Sequence, residues 1–235
     1  MPEFSVVGNV DPFLHVSLKR GESVYAERGA MVSMDTTLEL KGEMRGGLLG
    51  GLARRFTSGE SFFQQTMEAT GGDGDALFAP TLPGDVMVLD CGPRQFRLND
   101  GAFLAAETTL DIKTKNQGIG QALFGGTGGF FIMETSGRGK LAISAFGAIF
   151  ALDVKPGSDA IVDNTHVVAW DAALTYNITN ATANRGFFSG LVNSMTSGEG
   201  LVNRFSGSGQ VMVASRNKTG FAGWLASLIG QGSRG

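Results

Sequence analysis

One stretch recurs three times at a spacing of about 70 residues, and that recurrence constrains the fold more than any other feature. The copies are Ser58-Gly59-Glu60-Ser61-Phe62-Phe63, Gly126-Thr127-Gly128-Gly129-Phe130-Phe131 and Ser197-Gly198-Glu199-Gly200-Leu201-Val202. Each follows a glycine-rich apolar loop and opens an alternating run. Other features keep the same phase. Gly21, Gly92 and Gly157 open equivalent turns, Ala102 to Ala105 echoes Ala30 to Ser33, and Thr109 to Lys113 echoes Thr37 to Lys41.

Between the turns the period is two, which places one face of each run in a core and the other in solvent. Phe13 to Leu18, Val86 to Leu89, Leu141 to Phe146 and Gln210 to Ser215 are such runs. Gly71-Gly72-Asp73-Gly74 and Gly137-Arg138-Gly139 read as hairpin turns. A β module of short strands leaves open edges, and three related modules can cover one another's edges. The expected fold is all-β, with three β-sandwich modules around a pseudo-threefold axis in one body. The expected modules are 1–90, 91–156 and 157–216, followed by an amphipathic or flexible tail, 217–235. Only the glycine-rich loops and that tail have helical spacing.

Composition narrows the chemistry. The chain has 235 residues, 36 of them glycine, which is about twice average usage and lies where turns belong. A net charge of −3 lacks the basic footprint of a nucleic-acid binder, so nucleic acid is not an expected partner. Cys91 is the single cysteine, which rules out an internal disulfide and a thiolate metal cluster. The start, Met1-Pro2-Glu3-Phe4, has no secretory pattern, and no run approaches the ~20 apolar residues of a spanning helix. The expected location is the cytoplasm, with a peripheral membrane association as the extension of that reading.

The loops ahead of the repeated stretch are unusual because turn chemistry is ordinarily polar. They carry Leu48, Leu49 and Leu52 in the first copy, Leu123 and Phe124 in the second, and Phe187 and Phe188 in the third. Arg54, Arg55, Arg185 and Arg204 form a basic rim near them. In the tail, Trp224 belongs to an apolar run with Leu225, Leu228 and Ile229 on one side. Two readings stand side by side: the loops plug the ends of the modules, or they form an exposed contact patch.

Four stretches together carry a family resemblance over roughly residues 4 to 216. They are Glu27-Arg28-Gly29-Ala30-Met31-Val32, Gly59-Glu60-Ser61-Phe62-Phe63, Val162-Asp163-Asn164-Thr165-His166-Val167-Val168-Ala169-Trp170, and Gly198-Glu199-Gly200-Leu201-Val202 with Phe205-Ser206-Gly207-Ser208-Gly209. The chain resembles the bacterial and archaeal proteins related to the yeast "altered inheritance of mitochondria" protein twenty-four. The second copy departs from the pattern, with Gly129 where the family usually has glutamate. The resemblance implies a short double-stranded β-helix like that of the tryptophan RNA-binding attenuation protein, present three times. It implies no activity, and it links the mitochondrial relative to inner-membrane organisation.

No residue set supports an enzyme. His15 and His166 are the only histidines, too few for a metal site of the kind found on double-stranded β-helices. Asp163 near His166 lacks the nucleophile turn of a hydrolytic triad. Gly137-Arg138-Gly139-Lys140-Leu141-Ala142 matches a dinucleotide fingerprint formally, but a strand follows where a helix is required. Glu60 and Glu199 are read as acceptors for their own turns or as partners of Arg55 and Arg204. The expectation is a non-enzymatic interaction or scaffold protein without cofactor or metal, self-associating as a homo-oligomer or docking on a membrane or protein. The alternative is a small-molecule or RNA-binding module, by fold analogy.

Overall fold

The structure is a computed structural model that describes residues 1–43, 64–116, 131–180 and 201–231. The chain is predominantly antiparallel β, as the alternation predicts, and it divides into two units, Met1–Ala145 and Phe146–Gly235.

The first unit begins with β1 (Glu3–Val7), β2 (Phe13–Leu18), β3 (Ser23–Glu27), β4 (Met31–Met34), β5 (Glu39–Glu43), β6 (Gln64–Glu68) and β7 (Gly74–Phe78). It continues with β8 (Val86–Cys91), β9 (Phe96–Leu98), β10 (Phe103–Glu107), β11 (Leu110–Asn116), β12 (Phe131–Gly137) and β13 (Gly139–Ser144). One sheet runs β1-β2-β7-β4 and a second runs β5-β6-β3-β10-β13-β8, while β11, β12 and β9 are neighbours in that order. Period two is visible in the burial. Leu14, Val16 and Leu18 of β2 are buried, and the residues between them are at least partly open. Those three pack with Ala76 and Phe78 of β7 from their own sheet, and with Val24, Ala26, Met67, Leu104 and Ala142 from the other.

The second unit contains β14 (Ile149–Val154), β15 (Ala160–Asp163), a 3-10 turn (Asn164–His166), β16 (Val167–Asp171), β17 (Thr175–Asn180), β18 (Leu201–Ser206), β19 (Gly209–Ala214) and α1 (Lys218–Gln231). Here β14, β19 and β16 are neighbours in that order, as are β15, β18 and β17. The pairing β2-β7-β4 thus reappears as β8-β13-β10 and as β14-β19-β16. Trp170 lies at the centre of this core, fully buried, with its ring edge-on to Tyr176 at 5.1 Å and tilted against Phe205 at 5.7 Å.

Two local devices shape the strands. A register shift interrupts β4 against β7 between Met31 and Ser33, β10 against β13 between Phe103 and Ala105, and β16 against β19 between Val167 and Ala169. Each is a β-bulge, in which one extra residue bends the strand and changes the face that follows. Three residues beyond each bulge stands a carboxylate that accepts a backbone N–H from the start of the returning strand. Asp35 Oδ2 accepts from Asp75 at 2.9 Å, Glu107 Oε1 from Lys140 at 3.1 Å, and Asp171 Oδ2 from Gln210 at 2.8 Å. The donor in each case follows a glycine, Gly74, Gly139 or Gly209. At Gly209 an added Cβ would meet Asp171 Oδ2 at 2.7 Å, so the closeness of the carboxylate itself requires glycine. The β12–β13 turn that the sequence predicts at Gly137-Arg138-Gly139 is present. Gly137 holds φ +102, and a Cβ there would lie 2.8 Å from the Thr109 carbonyl oxygen.

Candidate interaction surface

Helix α1 starts where Asn217 caps it. The Gly220 N–H donates to Asn217 Oδ1 at 2.6 Å, which satisfies one of the first-turn donors that a helix leaves open. The Asn217 amide in turn donates to His166 Nε2 at 3.0 Å, and His166 Nδ1 donates to the Ala214 carbonyl at 2.7 Å. A carbonyl can only accept and the amide nitrogen can only donate, so the ring carries its hydrogen on Nδ1. Phe221 meets Phe146 edge-on at 5.1 Å, and the Arg216 guanidinium lies 5.8 Å over the same Phe146 ring. These contacts hold the first turn.

Beyond that turn the helix is open. Phe221, Trp224, Leu225, Leu228 and Ile229 follow the i, i+3, i+4, i+7, i+8 spacing of one helical face. They are 41%, 57%, 43%, 49% and 70% exposed. The opposite face carries Gly220, Ala222, Gly223, Ala226 and Ser227. The helix therefore divides large apolar from small neutral residues rather than apolar from charged.

Of the residues singled out from the sequence, Trp224 is on this exposed face. Arg204 of β18 donates from Nε to Asp159 Oδ2 at 2.8 Å, so its charge is balanced locally. Leu48, Leu49, Leu52, Arg54, Arg55, Leu123, Phe124, Arg185, Phe187 and Phe188, with Glu60 and Glu199, lie outside the described residues.

The histidines have structural partners. Asp163 does not engage His166; its Oδ1 accepts from the Thr165 backbone at 2.8 Å and from the Thr165 hydroxyl at 2.7 Å. His15 bridges Ser5 Oγ at 3.3 Å and Asp75 Oδ1 at 3.2 Å, and Ser17 Oγ also donates to Asp75. Ser5, His15 and Asp75 have the residue types of a hydrolytic triad. They stand on three neighbouring strands, β1, β2 and β7, as cross-strand polar pairs on a sheet face. Among the described residues, no three His, Cys, Asp or Glu side chains group as metal ligands.

Cys91 is buried, and burial raises its thiol to about 11; a Thr135 hydrogen bond opposes the shift and nearby Asp90 adds to it. The thiol stays protonated in the fold at neutral pH, where the reactive thiolate is needed for alkylation. Native protein is therefore expected to resist a thiol reagent at pH 8 and to react stoichiometrically in denaturant. The folded value lies above the ordinary 9.0, so this group's contribution to stability is intact below about 9 and is lost as the pH rises to about 11. Rapid labelling of the native chain would contradict the buried placement.

Sequence reasoning missed the carboxylates Asp35, Glu107 and Asp171. The signal was there: Asp35-Thr36-Thr37-Leu38, Glu107-Thr108-Thr109-Leu110 and Asp171-Ala172-Ala173-Leu174 hold one phase, and all three leucines are buried.

Comparison with known proteins agrees with the resemblance drawn from the repeats. A family model described as "Mitochondrial biogenesis AIM24" matches residues 4–216. A protein of Streptococcus pyogenes serotype M6, described as uncharacterized, is 40% identical over 224 residues, spanning 93% of this chain and 87% of its own length. A crystal structure of a Streptococcus pyogenes protein superposes with a TM-score of 0.80 at 35% identity, covering 97% of this chain and 100% of that one. The family match ends at residue 216, ahead of α1.

Proposed function

The chain belongs to the mitochondrial biogenesis AIM24 family, and from that premise we propose that it is a non-enzymatic interaction protein that docks through an apolar surface to which α1 contributes. The observation behind this reading is the run of five large apolar side chains on α1, each at least 41% exposed. Contiguous exposed apolar surface on a globular protein marks an interaction site. The sequence places further apolar residues, Leu48-Leu49, Leu123-Phe124 and Phe187-Phe188, once per repeat.

The proposed framework is three β-sandwich modules of the short double-stranded β-helix type around a pseudo-threefold axis. The recurring order β2-β7-β4, β8-β13-β10, β14-β19-β16 supports it, as do the three bulges. Such a scaffold would repeat one loop surface three times.

Association tests the reading. The wild-type chain is expected to associate with copies of itself, scored by light scattering, or with vesicles, scored by flotation. Leu225→Ser with Leu228→Ser is expected to remove that association while leaving the β circular dichroism unchanged. A wild-type chain that stays a 24.6 kDa monomer and binds no vesicle would overturn it.

A further inference from the structure

We infer that α1 is an anchor for an anionic bilayer surface, with its large apolar face inserted at the boundary between headgroups and acyl chains. The inference rests on the reading of α1 as a docking surface and names the partner.

The helix is poorly equipped to stand in water. It has 14 residues, near the ~12–15 below which an isolated helix is marginal. Gly223 stands in its interior and Gly220 and Gly230 near its ends, and glycine is a poor helix former. Lys218 lies at the N-terminal end, where a positive charge opposes the helix dipole. Contacts to the rest of its unit are concentrated in the first turn. A helix with this sequence gains its stability from whatever covers the large face.

Charge identifies the cover. The chain as a whole carries −3, yet no Asp or Glu follows Glu199, while Arg216, Lys218 and Arg234 do, beside Arg204, which is paired with Asp159. Arg216 and Lys218 flank the capping Asn217, directly before the apolar face. Cations beside an inserting face are the pattern that anionic headgroups attract. The opposite face is small and uncharged, so lying along the interface desolvates no charged side chain there. At 14 residues α1 is about 21 Å long, and no helix among the described residues is long and apolar enough to cross a membrane. The helix would lie along the surface.

A second copy of α1 fits less well. From their exposures, the five side chains on two facing helices would bury on the order of 1,000 Å² in total, below the about 1,200 Å² of a specific stable interface. Membrane insertion needs no matching partner surface, because its strength scales with apolar area and charge.

The chain carries its own reporter. It has two tryptophans, with Trp170 fully buried and Trp224 57% exposed, so a blue shift on binding reports Trp224. The whole 235-residue chain is mixed with vesicles of pure phosphatidylcholine, and with vesicles of equal parts phosphatidylcholine and phosphatidylserine. The anionic vesicles are expected to shift emission to the blue and to float the protein. Leu225→Ser with Leu228→Ser should abolish both effects. Arg216→Gln with Lys218→Gln should weaken binding about 30-fold, at about 1 kcal/mol per cation near the surface. Because the substituted side chains are exposed, near-ultraviolet circular dichroism should confirm an unchanged core. Flotation that persists in the double-serine variant would overturn the inference. So would a vesicle-free assembly that shields Trp224 and dissolves in that variant, but it would leave the docking surface intact. Trp224 exposed in solution and with both kinds of vesicle would overturn the docking surface as well.

Discussion

Replacing Trp170 by alanine is expected to lower the stability of the second unit by about 3–5 kcal/mol, the range for removing a large buried aromatic from a packed core. Trp170 is fully buried and its ring contacts both Tyr176 and Phe205. Truncation to a methyl leaves a cavity between strands that bulged β16 and the carboxylate corner hold in place, so little collapse can fill it. Phenylalanine at the same position should cost far less. The indole Nε1 is buried and meets no hydrogen-bond partner among the described residues, and deleting an unpaired donor returns about 1–3 kcal/mol. That gain opposes the loss of volume and should leave Trp170→Phe within about 1 kcal/mol of wild type. Urea unfolding followed by far-ultraviolet circular dichroism separates the two substitutions. Equal losses for both would mean that the Nε1 donor is satisfied in solution.

The second large effect belongs to Asp171, which is 4% exposed. Asp171→Ala removes the acceptor for the Gln210 N–H and is expected to cost about 1.5–3 kcal/mol, the worth of a hydrogen bond to a charged group. Asp171→Asn keeps an oxygen in place and should cost roughly half as much. Gly209→Ala attacks the same corner from the other side. Its Cβ would lie 2.7 Å from Asp171 Oδ2 and 2.8 Å from Asp171 Cβ, so the corner must open, at about 1–3 kcal/mol for overpacking. Thermal or urea midpoints for the three variants should fall in one series. A neutral Asp171→Ala would show that the corner is held by something other than this carboxylate.

Local chemistry was legible in the sequence. The β2 alternation, the turn at Gly137-Arg138-Gly139 and the helical spacing of Leu225, Leu228 and Ile229 all depend on neighbours along the chain. Strand order was not legible, since β10 lies beside β3 through pairs such as Ala105 with Ala26, far apart in sequence. The carboxylate corners were missed for a different reason. An acid after a strand reads as ordinary turn polarity until the glycine it faces, 30 to 40 residues later, is brought beside it. Trp224 was picked out by its apolar run, but its exposure depends on what α1 leaves uncovered, which composition does not encode. The proposed loop residues, such as Leu48 and Phe187, lie outside the described residues.

The bulge and the corner also govern where the chain can change length. From Val32 to Asp35 to Leu38 the steps are three and three residues, and the same steps recur from Leu104 to Glu107 to Leu110 and from Val168 to Asp171 to Leu174. The intervals between copies are unequal, 72 residues from Asp35 to Glu107 and 64 from Glu107 to Asp171. Within the short segment, one inserted or deleted residue would turn every later side chain to the opposite face and carry the acid away from its glycine. Outside it, a loop can lengthen at small entropic cost. Each copy thus contains a fixed ruler seven residues long, and the slack needed for divergence is confined to the chain between rulers.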